Sequence, residues 1–224
     1  MSGLMPVLLM EAIGTFALIF IGAGSICSDI SFGGGQLVGV ALAHGLVLSI
    51  LVTVGGPISG GHFNPAVTVA MLVTGKIRMA RGAGYILAQL IGGTLGALLL
   101  RPIFPDLPAG LGATVLGDGV SVMQGVLIEA VLTFFLVFVV FGVAVDPRGP
   151  KQVFGFCIGL TLAFDILAGG PLTGASVNPA RSLGPALASG TWSAHWVYWV
   201  GPLLGGAIGG LLYNQVFLGD SEGA

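Results

Sequence analysis

Ser59-Gly-Gly-His-Phe-Asn-Pro-Ala and Thr173-Gly-Ala-Ser-Val-Asn-Pro-Ala are two versions of one segment, placed in the two halves of the chain. In each, Asn is a good helix N-cap and the following Pro is favoured at the first helical position, so Asn64-Pro65-Ala66 and Asn178-Pro179-Ala180 both read as helix starts. The apolar runs that follow, 65–74 and 179–188, would each make a helix of about 15 Å, half the thickness of a bilayer core. Neither can span alone. Backbone at membrane depth that is not a full helix must be buried in protein or line a watery cavity.

Around these two segments lie six stretches able to cross a membrane: 4–27, 36–54, 82–100, 120–145, 153–169 and 195–218. Composition agrees. Charged residues make up 7% of the chain, against about 25% in soluble domains, so most of the surface must face lipid. A net charge of -2 gives no reason to expect a nucleic-acid partner. The first stretch lacks a positive leader and is long enough to span, so it reads as a retained helix and not a signal peptide.

The halves echo each other further. Glu11-Ala-Ile-Gly-Thr-Phe matches Glu129-Ala-Val-Leu-Thr-Phe, and Gly92-Gly-Thr-Leu-Gly matches Gly205-Gly-Ala-Ile-Gly. Each half holds three spans, an odd number, so the second copy enters the membrane upside down. The reading is one domain over 1–224 made of inverted repeats, approximately 1–110 and 115–224, whose broken segments mark the permeation or binding site. Lys76, Arg78 and Arg81, with Arg148 and Lys151, fall in two loops on one side. That side is expected to be cytoplasmic, with both termini, and the plasma (inner) membrane is the expected location.

With these motifs in place, the chain resembles the aquaporin, or major intrinsic protein, family over essentially its whole length. The resemblance implies an all-α membrane fold: six transmembrane helices plus two half-helices in a right-handed bundle, with a narrow pore in each subunit of a homotetramer. It implies a passive water channel in which Asn64 and Asn178 donate hydrogen bonds to a passing water. The two helix N-termini, partially positive, would face each other at mid-pore and repel protons and cations. Arg181 follows the second motif directly. A charge at this depth normally faces a watery cavity or a partner, and in the family this Arg belongs to the outer selectivity filter. By offset, His44, Ile166 and Ala175 complete that filter, and His62 lines the opposite half of the pore.

Strict water channels usually carry Phe at position 44 and His at position 166. The set His44, Ile166, Ala175 and Arg181 resembles instead the tonoplast intrinsic proteins of plants, some of which also pass ammonia, urea or hydrogen peroxide. Ser182, Ala186 and Tyr198-Trp199 stand where glycerol facilitators carry Asp, Lys and Pro-Leu, and match the water-channel branch. The permeants expected are therefore water and ammonia, with a broader neutral-solute facilitator (ammonia, urea, hydrogen peroxide, glycerol) as the alternative and an ion-coupled transporter further off.

Glu11 and Glu129 occupy equivalent places. They read either as a proton or ion relay or as acceptors for the non-helical loops before the Asn-Pro-Ala motifs, and the pairing favours the scaffold. Asp165 stands where the similar plant proteins tend to carry Asn; it is protonated, paired or near the pore. Cys27, near a helix end, and Cys157 lack metal-ligand spacing, and the histidines are scattered singly. No metal, cofactor or enzymatic activity is expected.

Overall fold

The computed structural model describes residues 3–107 and 110–218. The outer ends of the domain expected over 1–224, and the edge of the first repeat near 110, fall partly outside these residues. The regular elements among the described residues are all helices, in an order that repeats. Helices α1 (Leu4–Phe32), α2 (Gln36–Ser59), the short α3 (Pro65–Val73) and α4 (Met79–Leu98) form the first half, and α5 (Leu100–Ile103) continues α4 by one turn. Helices α6 (Val122–Val140), α7 (Phe154–Thr173), the short α8 (Pro179–Ser189) and α9 (Val197–Leu212) form the second. Helix α6 runs on as π-helix over Phe141–Val145, and α9 over Tyr213–Leu218.

Five helices are long and apolar enough to cross a membrane. The sixth span is α9 with its π-helical continuation, 16 and 6 residues. The expected starts are close, but several ends run further. Helix α1 continues five residues past Cys27, which places that thiol inside the helix and not at its end. Helices α2 and α7 continue through Pro57 and Pro171. Proline removes one intrahelical bond, yet only near a C-terminus, where the next turn closes on Gly60 and Gly174 in the left-handed conformation.

Packing follows the inverted repeat. Helix α1 packs on α2 and α4 as α6 packs on α7 and α9; α8 lies against α4 as α3 lies against α9, and α2 meets α7 at the centre. Small residues permit these crossings. A Cβ on Gly92 would overlap the carbonyl of Ala12, and a Cβ on Gly205 the carbonyl of Ala130. The carbonyl oxygens of Ala66 and Ala180 come within 3.1 Å and 2.9 Å of where side chains on Gly206 and Gly93 would begin. Each half-helix is thus held against a glycine surface of the other repeat's last span.

Candidate functional site: a pore between two facing half-helices

Asn64 and Asn178 cap their helices as the sequence suggests. The Oδ1 of Asn64 accepts from Ala66 N at 2.8 Å, and that of Asn178 from Ala180 N at 3.0 Å and Arg181 N at 3.3 Å. The amide nitrogens then reach across the pseudo-twofold axis. Asn64 Nδ2 donates to Val177 O at 2.8 Å, and Asn178 Nδ2 donates to Phe63 O at 2.9 Å. Each Nδ2 carries two hydrogens, so one remains without an acceptor among the described residues. Both asparagines line the same cavity.

The loops that deliver these asparagines are strained. Phe63 and Val177 both have φ of 48°, and Ala175 has 43°. A non-glycine residue in this region costs about 1–3 kcal/mol and persists only where the surroundings over-determine it. Here the two buried carboxylates do so. Glu11 accepts from Ser59 Oγ at 2.6 Å, His62 N at 3.0 Å, Phe63 N at 2.7 Å and Gln89 Nε2 at 2.8 Å. Glu129 accepts from Thr173 Oγ1 at 2.7 Å, Ser176 N at 2.9 Å and Val177 N at 2.8 Å. Every oxygen is occupied by a loop donor, the arrangement of a scaffold.

Two cavities meet at His44 and Arg181. One, of about 170 Å³, runs from Ala144 and Val145, beside the basic loops, past His62, Asn64 and Asn178 to His44 and Arg181. The other, of about 270 Å³, opens near Asp29 and Gln36 and is lined by Ile166, His44 and Arg181. His44 and Arg181 are common to both and form the boundary between them. Ala175 lines neither. It is buried, and its Cβ would lie 3.4 Å from one placed on Gly169.

Hydrogen bonding fixes how the polar walls present themselves. His44 Nδ1 lies 2.9 Å from Val40 O. A carbonyl only accepts, so Nδ1 carries the hydrogen and the Nε2 lone pair faces Arg181 Nη2 at 3.4 Å. Thr68 Oγ1 donates to Asn64 O at 3.1 Å, so it accepts from His62 Nδ1 at 3.0 Å, leaving the His62 Nε2 lone pair free. Arg181 Nη1 donates to Gly112 O at 2.6 Å. Among the described residues the guanidinium has no carboxylate partner, the one salt bridge being Arg148–Asp146.

Gly112 belongs to a part of the site that sequence reading did not single out. The segment around it lies between spans and looks like an ordinary glycine-rich loop. The structure shows a tight left-handed turn there, with φ of 98°, 36° and 71° at Gly110, Leu111 and Gly112, which nothing in the sequence ties to Arg181. Asp165, in contrast, is buried on α7 and lines neither cavity, and neither of its carboxyl oxygens has a hydrogen-bond partner among the described residues.

Comparison with known proteins follows this geometry. The sequence profile described as Major intrinsic protein matches residues 3–213. The chain belongs to the major intrinsic protein, or aquaporin, family. Aquaporin TIP4-4 of Zea mays is 47% identical, over 97% of this chain and 88% of its own length. Aquaporin TIP2-1 of Arabidopsis thaliana is 42% identical, over 96% and 88%. The X-ray structure of the aquaglyceroporin from Plasmodium falciparum superposes with a TM-score of 0.89, over 99% of this chain and all of that one, at 24% identity, and shares the fold. This aquaporin is therefore a multi-pass integral membrane channel for water or small solutes, not an enzyme.

Proposed function

We propose that this aquaporin conducts water and ammonia passively, excludes protons and ions, and passes glycerol poorly. The observation that carries this reading is the boundary between the two cavities, where His44 and Arg181 face each other and Ile166 supplies an apolar wall. A histidine is smaller than the Phe of strict water channels. Isoleucine withdraws the hydrogen-bonding group that His would offer at position 166. The opening is then slightly wider, with donors on one side only. A solute the size of water that accepts a hydrogen bond meets both conditions, and ammonia is one. Glycerol is larger and must carry a carbon chain past Arg181 without the wide apolar wedge of the glycerol facilitators.

Ion exclusion rests on charge. The N-termini of α3 and α8 present partial positive charge to the cavity, the asparagines present hydrogens, and Arg181 adds a full charge with no carboxylate at salt-bridge distance among the described residues. In this reading Asn64 and Asn178 hold each passing water as an acceptor, Pro65, Ala66, Pro179 and Ala180 fix the helix starts, and His62 lines the pore on the basic side. Glu11 and Glu129 hold the loops. Ala175, expected in the filter, lines neither cavity.

Proteoliposomes carrying the full chain test this by stopped-flow swelling in water, ammonia, urea and glycerol. High water flux, ammonia flux above empty liposomes and glycerol flux near background are expected. The double change His44→Phe with Ile166→His should cut ammonia far more than water. An unchanged ammonia-to-water ratio in the double variant sinks the reading, as does fast proton entry through the protein reported by a pH-sensitive dye.

The proposal extends to assembly and orientation. The chain forms a homotetramer, as one channel domain of two repeats, 1–110 and 115–224, with the basic loops and both termini facing the cytoplasm. The plasma membrane expected from sequence draws no support from relatives that carry TIP names, so the proposal keeps the orientation and not that membrane.

A further inference from the structure

Behind Arg181 runs a line of buried hydroxyl groups whose direction can be read. Ser176 Oγ donates to Asn178 O at 2.9 Å, which uses its one hydrogen. Ser176 Oγ and Ser182 Oγ are 2.6 Å apart, so Ser182 must be the donor there. Ser182 Oγ and Thr114 Oγ1 are also 2.6 Å apart, so Thr114 donates to Ser182. Three short bonds therefore run one way, from the loop before α6 to the carbonyl of the second pore asparagine. Thr114 is buried and packs against the backbone bend at Gly174, where a Cβ would meet its side chain at 3.0 Å. It lies two residues from Gly112, whose carbonyl receives Arg181 Nη1.

We infer that Thr114 is a positioning residue for the filter: through Ser182 it pins the loop that holds the Gly112 carbonyl, and that carbonyl sets where the Arg181 guanidinium stands. The inference deepens the pore reading given above and rests on it. Thr114 touches no permeant and lines neither cavity. Its effect passes through one acceptor. Thr114→Val keeps the shape and removes the hydroxyl, so Ser182 loses its incoming bond. The loop remains attached by Gly117 N to Leu172 O at 2.8 Å and by its packing on Ala23, and it shifts without unfolding. Arg181 then loses a fixed acceptor on one side while His44 on the other, at 3.4 Å, is a weak hold. The guanidinium samples more positions and the filter discriminates less.

The test compares permeabilities of full-length channels in proteoliposomes, each normalised to channel number. Thr114→Val should raise the urea-to-water ratio about fivefold, the scale of one net hydrogen bond, and Thr114→Ser should restore the wild-type ratio. Ser182→Ala should give the same shift as Thr114→Val, and the double variant no more than either alone, because all three break one chain. A variant ratio equal to wild type, a Thr114→Ser channel as altered as Thr114→Val, or additive effects in the double variant would each overturn the inference. If Thr114→Val does not assemble, Ser182→Ala alone decides. Absence of water flux in the wild type would instead strike the pore reading itself.

Discussion

The ring of Phe63 occupies the space that a side chain on Gly14 would need. In the second repeat the relation is reversed: Leu132 stands at the place of Gly14, reaches toward Gly169, and the loop residue is the smaller Val177. The two halves fill equivalent volumes from opposite sides. Gly14→Leu should therefore overpack the first loop at a cost of about 1–3 kcal/mol. Adding Phe63→Val, which copies the pair in the other repeat, should recover most of that loss. Thermal unfolding in detergent of the two single variants and the double measures the coupling. Additive losses would show that the two volumes are not exchanged.

The carboxylates make a second prediction. Both oxygens of Glu11 receive donors, so in Glu11→Gln the new NH2 must face another N–H or O–H whichever way it turns. A loss of about 3 kcal/mol is expected. Glu129→Gln should cost less, since Glu129 receives three donors where Glu11 receives four, and its Oε2 meets a single N–H, that of Val177. Channels that stay fully stable but lose flux on either change would favour a relay over a scaffold.

Mercurials should block this channel weakly. Cys27 is buried and Cys157 partly buried, and neither lines the cavities. Strong inhibition of water flux that a thiol reverses would place one of these sulfurs in the path.

At the basic face, Arg148 holds the Asp146 carboxyl well below the usual carboxylate range by side-chain hydrogen bonds, aided by its backbone N–H and by Tyr213. Arg148 also donates to Phe217 O at 2.7 Å, tying the ends of α6 and α9 together. A depressed folded-state pKa means that the stabilisation is complete above the unfolded value, about 3.9. It fades only as pH falls through the folded one. The difference in melting temperature between wild type and Asp146→Asn should stay constant from about pH 5 to about pH 8 and shrink in stronger acid. A difference that changes across neutral pH would contradict this account.

Much of this structure was legible in the chain because its constraints are local or repeated. Asn before Pro announces a helix start on its own, and the second copy of Ser59–Ala66 at Thr173–Ala180 reveals the inversion. Helix ends were less legible. The proline at 57 or 171 looks like a terminator, yet each helix runs two residues beyond it: proline takes away one donor only, and the last turn still closes through Gly60 N to Gly56 O and Gly174 N to Gly170 O. The offset that assigned Ala175 to the filter could not show that its Cβ lies against Gly169 and that the residue lines neither cavity. Thr114 and Gly112 were invisible for another reason. Their partners lie 68 and 69 positions away, and no periodicity connects them.

The crossed asparagine bonds have a consequence for how the protein is made. Asn64 donates to a carbonyl 113 residues later, and Asn178 to one 115 residues earlier. On a ribosome the first of these partners is synthesised long before the second. Until residue 177 has been translated and inserted, the first re-entrant loop carries a buried amide with nothing in the protein to receive it, and the strain at Phe63 is only partly restrained. The first half can enter the bilayer but cannot finish its own mid-pore. A chain interrupted between the repeats lacks both the Val177 carbonyl and Asn178, and with them each of the two bonds that cross the mid-pore.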